Sequence, residues 1–128
     1  MINSIYPLVL TTDLARSVAF YRDVLGLVAV FEADWYVQFQ APGQPVVQLA
    51  LIVSGHDSVP ERFHAQASGV VISFEVDDVD ERWQAAADAG GEMIVDVRDE
   101  PWGQRHFVTV DPDGLMIDVV QSISPETL

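Results

Sequence analysis

Apolar residues follow the helical period in two segments of the chain and the strand period elsewhere, and this succession occurs twice. The segment TTDLARSVAFYRDVLGL follows the short apolar run YPLVL, and VDDVDERWQAAADAGGE follows the run VVISFE. The two halves match at an offset of 65 residues when Asp13 is set against Asp78. Each aspartate can cap a helix, because its carboxylate accepts from the free amides of the first turn. Each half is therefore predicted to begin with a strand and a helix.

Alternating patterns after each helix predict three further strands per half. They are VAVFE and the two strands of WYVQFQAPGQPVVQLALIV in the first half, then EMIVDV and the two strands of RHFVTVDPDGLMIDVVQ in the second. The turns set Gln48 against Asp118 at an offset of 70, and the extra residues of the second half are assigned to a loop at RDEPWGQ. The predicted fold class is α+β, a single domain of two βαβββ modules at 1–53 and 69–128 joined by a linker at 54–68. The two sheets are expected to enclose a cleft, paired across a homodimer.

Net charge and composition argue against several classes of binding partner and of chemistry. The 128 residues contain 20 acidic and 6 basic side chains, and the net charge is −14, which argues against nucleic acid and anionic membranes. The absence of cysteine excludes thiolate chemistry, disulfides and cysteine-based zinc sites. The N-terminus lacks the pattern of a signal peptide, and no apolar run is long enough to span a membrane. We therefore expect a cytoplasmic protein.

Strand alternation separates the residues that face the cleft from those of the core. Val47 and Trp83 are assigned to the core, whereas Trp35 fits core and cleft equally well. The polar residues predicted to face the cleft lie over an apolar base of Leu8, Ile52, Val71 and Val120. These polar residues are Tyr6, Tyr36, Gln38, Gln48, Ser73, His106 and Asp118. An alternative interpretation is that they only tolerate water on half-solvated sheet faces.

Three segments carry a resemblance to a known family: TTDLARSVAFYRDVLGL, FEVDDVDERWQAAADAGGE and PWGQRHFVTVDPDGLMIDVVQ. With their hairpins they resemble the vicinal oxygen chelate superfamily of glyoxalases, bleomycin resistance proteins, extradiol dioxygenases and fosfomycin resistance enzymes. The resemblance implies a divalent metal held by His on the first strand of a module and Glu or His on the last. At those positions this chain carries Tyr6, Val71, Gln48 and Asp118, of which only Asp118 is a good ligand.

The three histidines do not replace the missing ligands. His56 and His64 lie in the predicted linker, and His106 lies on a strand where the family has no ligand. One carboxylate does not hold a catalytic metal, so neither a metal nor another cofactor is expected.

The metal-free bleomycin-resistance proteins are the branch that the chain resembles in this respect. The resemblance implies a homodimer that sequesters a small aromatic drug or natural product, which the acidic surface would also attract if it is cationic. Trp102, in EPWGQRHF, is expected at the cleft mouth and joins the predicted ligand-binding residues, while no residue is assigned a catalytic role. Two alternatives stay open. One is an enzyme of the same fold, with an unusual metal set or metal-free acid–base chemistry by Asp118, His106 and Tyr6. The other is a regulatory domain with a vestigial cleft.

Overall fold

The chain folds into two compact units, Met1–Ala67 and Ser68–Leu128. The structure, a computed structural model, describes residues 1–65 and 67–125. Gln66, in the predicted linker, and residues 126–128, at the end of the second predicted module, lie outside the described residues.

The first unit is one βαβββ module. Its elements are β1 (Leu8–Thr11), α1 (Leu14–Asp23), β2 (Val28–Glu32), β3 (Tyr36–Ala41) and β4 (Gln44–Val53), followed by a short 3-10 helix (Glu61–Phe63). The strands form a sheet in the order β1-β4-β3-β2. β1 runs parallel to β4, and the other neighbours are antiparallel.

The second unit repeats this topology. Its elements are β5 (Val71–Glu75), α2 (Val79–Asp88), β6 (Met93–Glu100), β7 (Gln104–Val110) and β8 (Met116–Ser122). The sheet order is β5-β8-β7-β6, again with one parallel pair, β5 and β8. The α+β class with two βαβββ modules is thereby confirmed. Neither helix in the described ranges has the length and apolar character needed to cross a bilayer.

Both helices begin at the predicted aspartates. The Asp13 carboxylate accepts a hydrogen bond from the Arg16 amide at 3.1 Å, and the Asp78 carboxylate accepts from the Glu81 amide at 3.1 Å. Gly26 follows α1 with a φ of 71°, which suits a residue without a Cβ. The repeat read from the sequence therefore marks two structurally equivalent helix starts.

Each helix packs on one face of the sheet of its own unit. In the first unit α1 packs against β4, and in the second α2 packs against β7 and β8. The fully buried side chains of this layer come from both partners; they include Tyr21, Phe39, Leu49 and Leu51 in the first unit and Val79, Phe107, Ile117 and Val119 in the second. The opposite face of each sheet, the helix-free face, carries the polar residues of the site.

Two core assignments are wrong. Val47 is 49 % exposed, because Gln40 pairs with Gln48 while Ala41 pairs with Gln44, and the residues at 45–47 bulge out of the ladder. Trp83 is only half-buried. Its indole N–H donates to Asp96 Oδ1 at 2.9 Å at the surface of the unit.

The predicted loop at RDEPWGQ is largely strand. β6 continues to Glu100, and a turn at 101–103 leads directly into β7. Arg98 pairs with His106 across this hairpin, and Glu100 pairs with Gln104. The extension of β6 brings two charged side chains onto the same sheet face as His106.

Candidate ligand-binding site

Five polar side chains meet on the helix-free face of the second unit. They come from all four strands of its sheet, and we call them the His106 cluster: Ser73, Arg98, Glu100, His106 and Asp118. His106 Nδ1 lies 2.8 Å from Asp118 Oδ1, and His106 Nε2 lies 3.1 Å from Glu100 Oε2. Ser73 donates to Asp118 Oδ2 at 3.1 Å, and Arg98 donates to Glu100 Oε2 from two of its nitrogens.

The two carboxylates fix the protonation state of His106. A neutral imidazole has one N–H, so two hydrogen bonds to ionised carboxylates require the imidazolium form. Burial lowers the pKa of His106, but the hydrogen bonds to Asp118 and Glu100 outweigh it, and the net pKa lies above the ordinary 6.5. When it is protonated, His106 joins β6 to β8 through ion pairs with Glu100 and Asp118.

The strand pattern of the sequence predicts Ser73, His106 and Asp118 on this face but does not predict Arg98 and Glu100. The ladder of β6 with β7 shifts register twice, between Met93 and Val95 and between Val95 and Arg98. These irregularities break the alternation on which strand patterns depend. A usable signal was the hairpin itself, since counting outward from the turn at 101–103 sets Arg98 opposite His106.

Trp102 lies in the three-residue turn between β6 and β7 and is 58 % exposed. Its indole N–H donates to Gln104 Oε1 at 2.8 Å, outside the His106 cluster. Gly103 has a φ of 104°, and a Cβ there would approach Ile123 O to 3.1 Å. The close approach explains why a glycine follows the indole in this turn.

A chain of neutral hydrogen bonds crosses the helix-free face of the first unit. The Tyr36 hydroxyl donates to Gln38 Oε1, and Gln38 Nε2 donates to Gln48 Oε1 at 2.8 Å. Gln48 Nε2 then donates to the Pro45 carbonyl oxygen at 2.7 Å. We call this chain the amide relay. Burial and, after it, the neighbouring Tyr6 phenol raise the pKa of Tyr36, so its hydroxyl stays a donor.

Aromatic rings surround the Tyr36 end of the amide relay. Tyr36 packs against Phe31 with ring centroids 6.2 Å apart and against Trp35 at 5.4 Å. Trp35 in turn stacks on His56, with centroids 4.0 Å apart and planes inclined by 13°. His56 is thus held in the fold by stacking. The structure brings together the four residues predicted for the first unit, Tyr6 included, and adds Phe31 and Trp35.

The ladder registers revise the correspondence between the modules. Leu8 pairs with Ala50, and Ser73, 65 residues after Leu8, pairs with Asp118. The structural counterpart of Asp118 is therefore Ala50, not Gln48 as the turns indicated. The first unit has the additional bulge at 45–47, which places two more residues between β3 and β4.

The donors at the positions of the family's metal ligands do not fit a divalent cation in either unit. In the second unit Val71 has no donor atom, and both oxygens of Asp118 already accept hydrogen bonds. In the first unit Gln48 Oε1 accepts one hydrogen bond and Gln48 Nε2 donates another. The structural equivalent of Gln48 in the second unit is Met116, which offers no oxygen or nitrogen ligand. No group of three histidine or carboxylate side chains within 1–65 and 67–125 is arranged to hold a metal.

Comparison with known proteins identifies the family. Residues 4–119 match the model of the Glyoxalase/Bleomycin resistance protein/Dioxygenase superfamily. The chain belongs to this superfamily. A member of the glyoxalase/bleomycin resistance protein/dioxygenase superfamily from Sphaerobacter thermophilus superposes with a TM-score of 0.75 at 25 % identity, covering 95 % of this chain and 98 % of that chain.

Two further relatives extend the comparison. An uncharacterised protein of Mycobacterium bovis is 27 % identical over 121 residues, covering 84 % of this chain and 76 % of the relative. TnmS3, an antibiotic binding protein from Streptomyces sp. CB03234, has the same fold with a TM-score of 0.74 at 19 % identity, covering 95 % of this chain and 97 % of that chain. The superfamily fold thus includes a protein described as binding an antibiotic.

Proposed function

We propose that this superfamily member binds and sequesters a planar aromatic small molecule without transforming it, as a cytoplasmic homodimer. The observation that carries the proposal is the engagement of Asp118, whose two oxygens bond to His106 and Ser73. A metal ion would have to displace these hydrogen bonds to bind the carboxylate, whereas an organic ligand could join the existing hydrogen-bond network. The proposed binding residues are Tyr6, Tyr36, Gln38, Gln48, Ser73, Trp102, His106 and Asp118.

Aromatic surface supports the same function. Trp102 and Tyr6 are 58 % and 40 % exposed, so both rings are free to stack on a flat ligand. Binding sites for such ligands combine apolar and aromatic walls with a few polar groups that fix orientation. The relation to TnmS3 is one of fold, so the chemistry of these side chains is the stronger support.

Titration with bleomycin, mitomycin and a quinoxaline peptide, followed by tryptophan fluorescence, tests the proposal. We expect saturable quenching with at least one compound. The substitution Trp102→Phe should weaken binding and remove the Trp102 part of the signal, while Trp35 beside Tyr36 continues to report. Trp83→Phe is the matched control, because Trp83 bonds to Asp96 at the surface and is not in the proposed site. A folded wild-type protein that binds none of these compounds would contradict sequestration.

A second candidate function is metal-free acid–base catalysis. The observation in its favour is the pair of His106 with Asp118, since a carboxylate-oriented imidazole is a common general acid or base. Glu100 occupies the other ring nitrogen, so a substrate would first have to displace it. Analysis of the bound compound by mass spectrometry and chiral chromatography separates the candidates, because only catalysis yields a product of different mass or configuration.

A further inference from the structure

The amide relay has a defined direction. Every bond runs from a donor nearer Tyr36 to an acceptor nearer Pro45, so each glutamine carbonyl oxygen already accepts one bond. A glutamine amide has two N–H groups, and the relay uses one on Gln38 and one on Gln48. Each amide therefore keeps one N–H that no bond of the relay uses.

The remaining N–H groups determine which kind of hydrogen-bonding partner this face would bind. A carbonyl oxygen that accepts one bond is tolerated more readily than an N–H with no acceptor. Gln38 and Gln48 are half-buried, so water or a ligand reaches them. The hydrogen-bond partner that the face lacks is consequently an acceptor. None of the relay side chains is charged, so the face does not demand a cation.

The rings beside the relay define the rest of the ligand. Phe31, Trp35 and Tyr36 form consecutive ring contacts, and Phe31 is 56 % exposed. Such rings favour a flat aromatic system next to the acceptor.

We propose that the first unit selects planar aromatic ligands that carry a carbonyl oxygen, the chemistry of aryl ketones and quinones, and that the free N–H groups of Gln38 and Gln48 donate to this oxygen. The inference rests on the proposed function and names the ligand class. It assigns Gln38 and Gln48 as specificity-determining residues and Tyr36 as a positioning residue, because the Tyr36 hydroxyl fixes which end of the Gln38 amide is the acceptor.

Three probes on one naphthalene scaffold test the selection. They are 2-acetylnaphthalene, which has a carbonyl oxygen, 2-ethylnaphthalene, which has the same shape without an acceptor, and 1-(2-naphthyl)ethylamine, which is a cation. Binding is followed by ¹⁵N NMR of the full chain, including the side-chain amide signals. We expect 2-acetylnaphthalene to bind at least about threefold more tightly than the ethyl compound, since one added hydrogen bond gives about three- to tenfold and the second donor adds to it. The amine should gain no such advantage.

Matched variants locate the effect. Gln48→Met should reduce the preference for the acetyl compound, because only Gln38 remains as a donor, while Gln40→Met, at the position paired with Gln48 but outside the relay, should keep it. Tyr36→Phe should shift the Gln38 side-chain amide signals even without ligand and reduce the preference, a change that loss of packing alone would not produce.

The outcomes separate this inference from the proposed function. Equal binding of the acetyl and ethyl probes, or tighter binding of the amine, would overturn the selection for carbonyl oxygen but leave sequestration standing. Failure of all three probes to bind, alongside binding of a compound from the drug panel, would also overturn the inference alone. Failure of both sets would overturn the proposed function with it.

Discussion

His106 should make the folded protein more stable in weak acid than at alkaline pH. Its pKa in the folded state is raised above the ordinary 6.5, since two carboxylates bond to its ring. A raised pKa means that the folded state holds the proton more tightly than the unfolded state. The stabilisation is therefore fully present below about pH 6.5 and is lost as the pH rises through the folded pKa.

The burial of the three side chains sets the magnitude. Their exposed fractions are 14 % for His106, 13 % for Glu100 and 20 % for Asp118. Hydrogen bonds to charged groups contribute about 1.5–3 kcal/mol each when buried, and exposed ion pairs contribute less than about 1 kcal/mol. Partial screening at these exposures gives about 1 kcal/mol per bond, or about 2 kcal/mol for the pair. For a chain of this size the unfolding midpoint would shift by about 5–8 °C.

Thermal unfolding of His106→Gln and wild type at pH 6 and pH 9 measures this contribution. We expect the variant to be less stable than wild type by about 2 kcal/mol at pH 6 and by a smaller amount at pH 9, because the contribution of His106 is lost as the pH rises through its folded-state pKa. His64→Gln is the control, because the His64 ring bonds to an uncharged group, the backbone carbonyl oxygen of Val59. A penalty that is equal at both pH values, or an NMR titration of His106 at or below 6.5, would refute the reasoning.

Three further substitutions test the fold that supports the site. Asp111→Ala should lower the free energy of unfolding by about 2 kcal/mol in urea denaturation, because the buried carboxylate accepts from two turn amides ahead of β8 that would lose their partner. Gly91→Ala should destabilise by about 1–3 kcal/mol in the same assay, since the new Cβ would lie 2.9 Å from Ala86 O; full stability would contradict the close approach. Asp78→Ala should cost about 1 kcal/mol through loss of the α2 cap, visible as a lower thermal midpoint, and a midpoint equal to wild type would show that the cap is dispensable.

The sequence was sufficient to predict the regular parts of the fold. Local signals determine those parts: an aspartate cap, an apolar stripe and a glycine after each helix recur at a constant spacing. The alternation also sorted the interior strands correctly at Phe39, Phe107 and Ile117, which are fully buried. These positions lie in regular stretches of ladder, where a slip by one residue would move every core side chain to the other face.

The errors fall where the ladders are irregular. The bulge at 45–47 leaves Val47 exposed and makes Ala50, not Gln48, the equivalent of Asp118. The register shifts in β6 are the reason that Glu100 was not predicted on the face of His106. A bulge adds residues to one strand only, and the alternation of apolar and polar residues does not reveal where such an insertion occurs. The hydrogen bonds of Gln38 could not be predicted from the sequence either, because they depend on side-chain distances across β3 and β4. That the proposed site residues bind a ligand remains a prediction.

The mass of a ligand recovered from the protein tests most directly whether this superfamily member captures its ligand unchanged. A planar aromatic compound that binds is incubated with the protein, with and without added divalent metal, then released by denaturation and weighed by mass spectrometry. The account predicts quantitative recovery of the original mass under both conditions. A new mass under either condition, including one that appears only with added metal and disappears on adding a chelator, would contradict it.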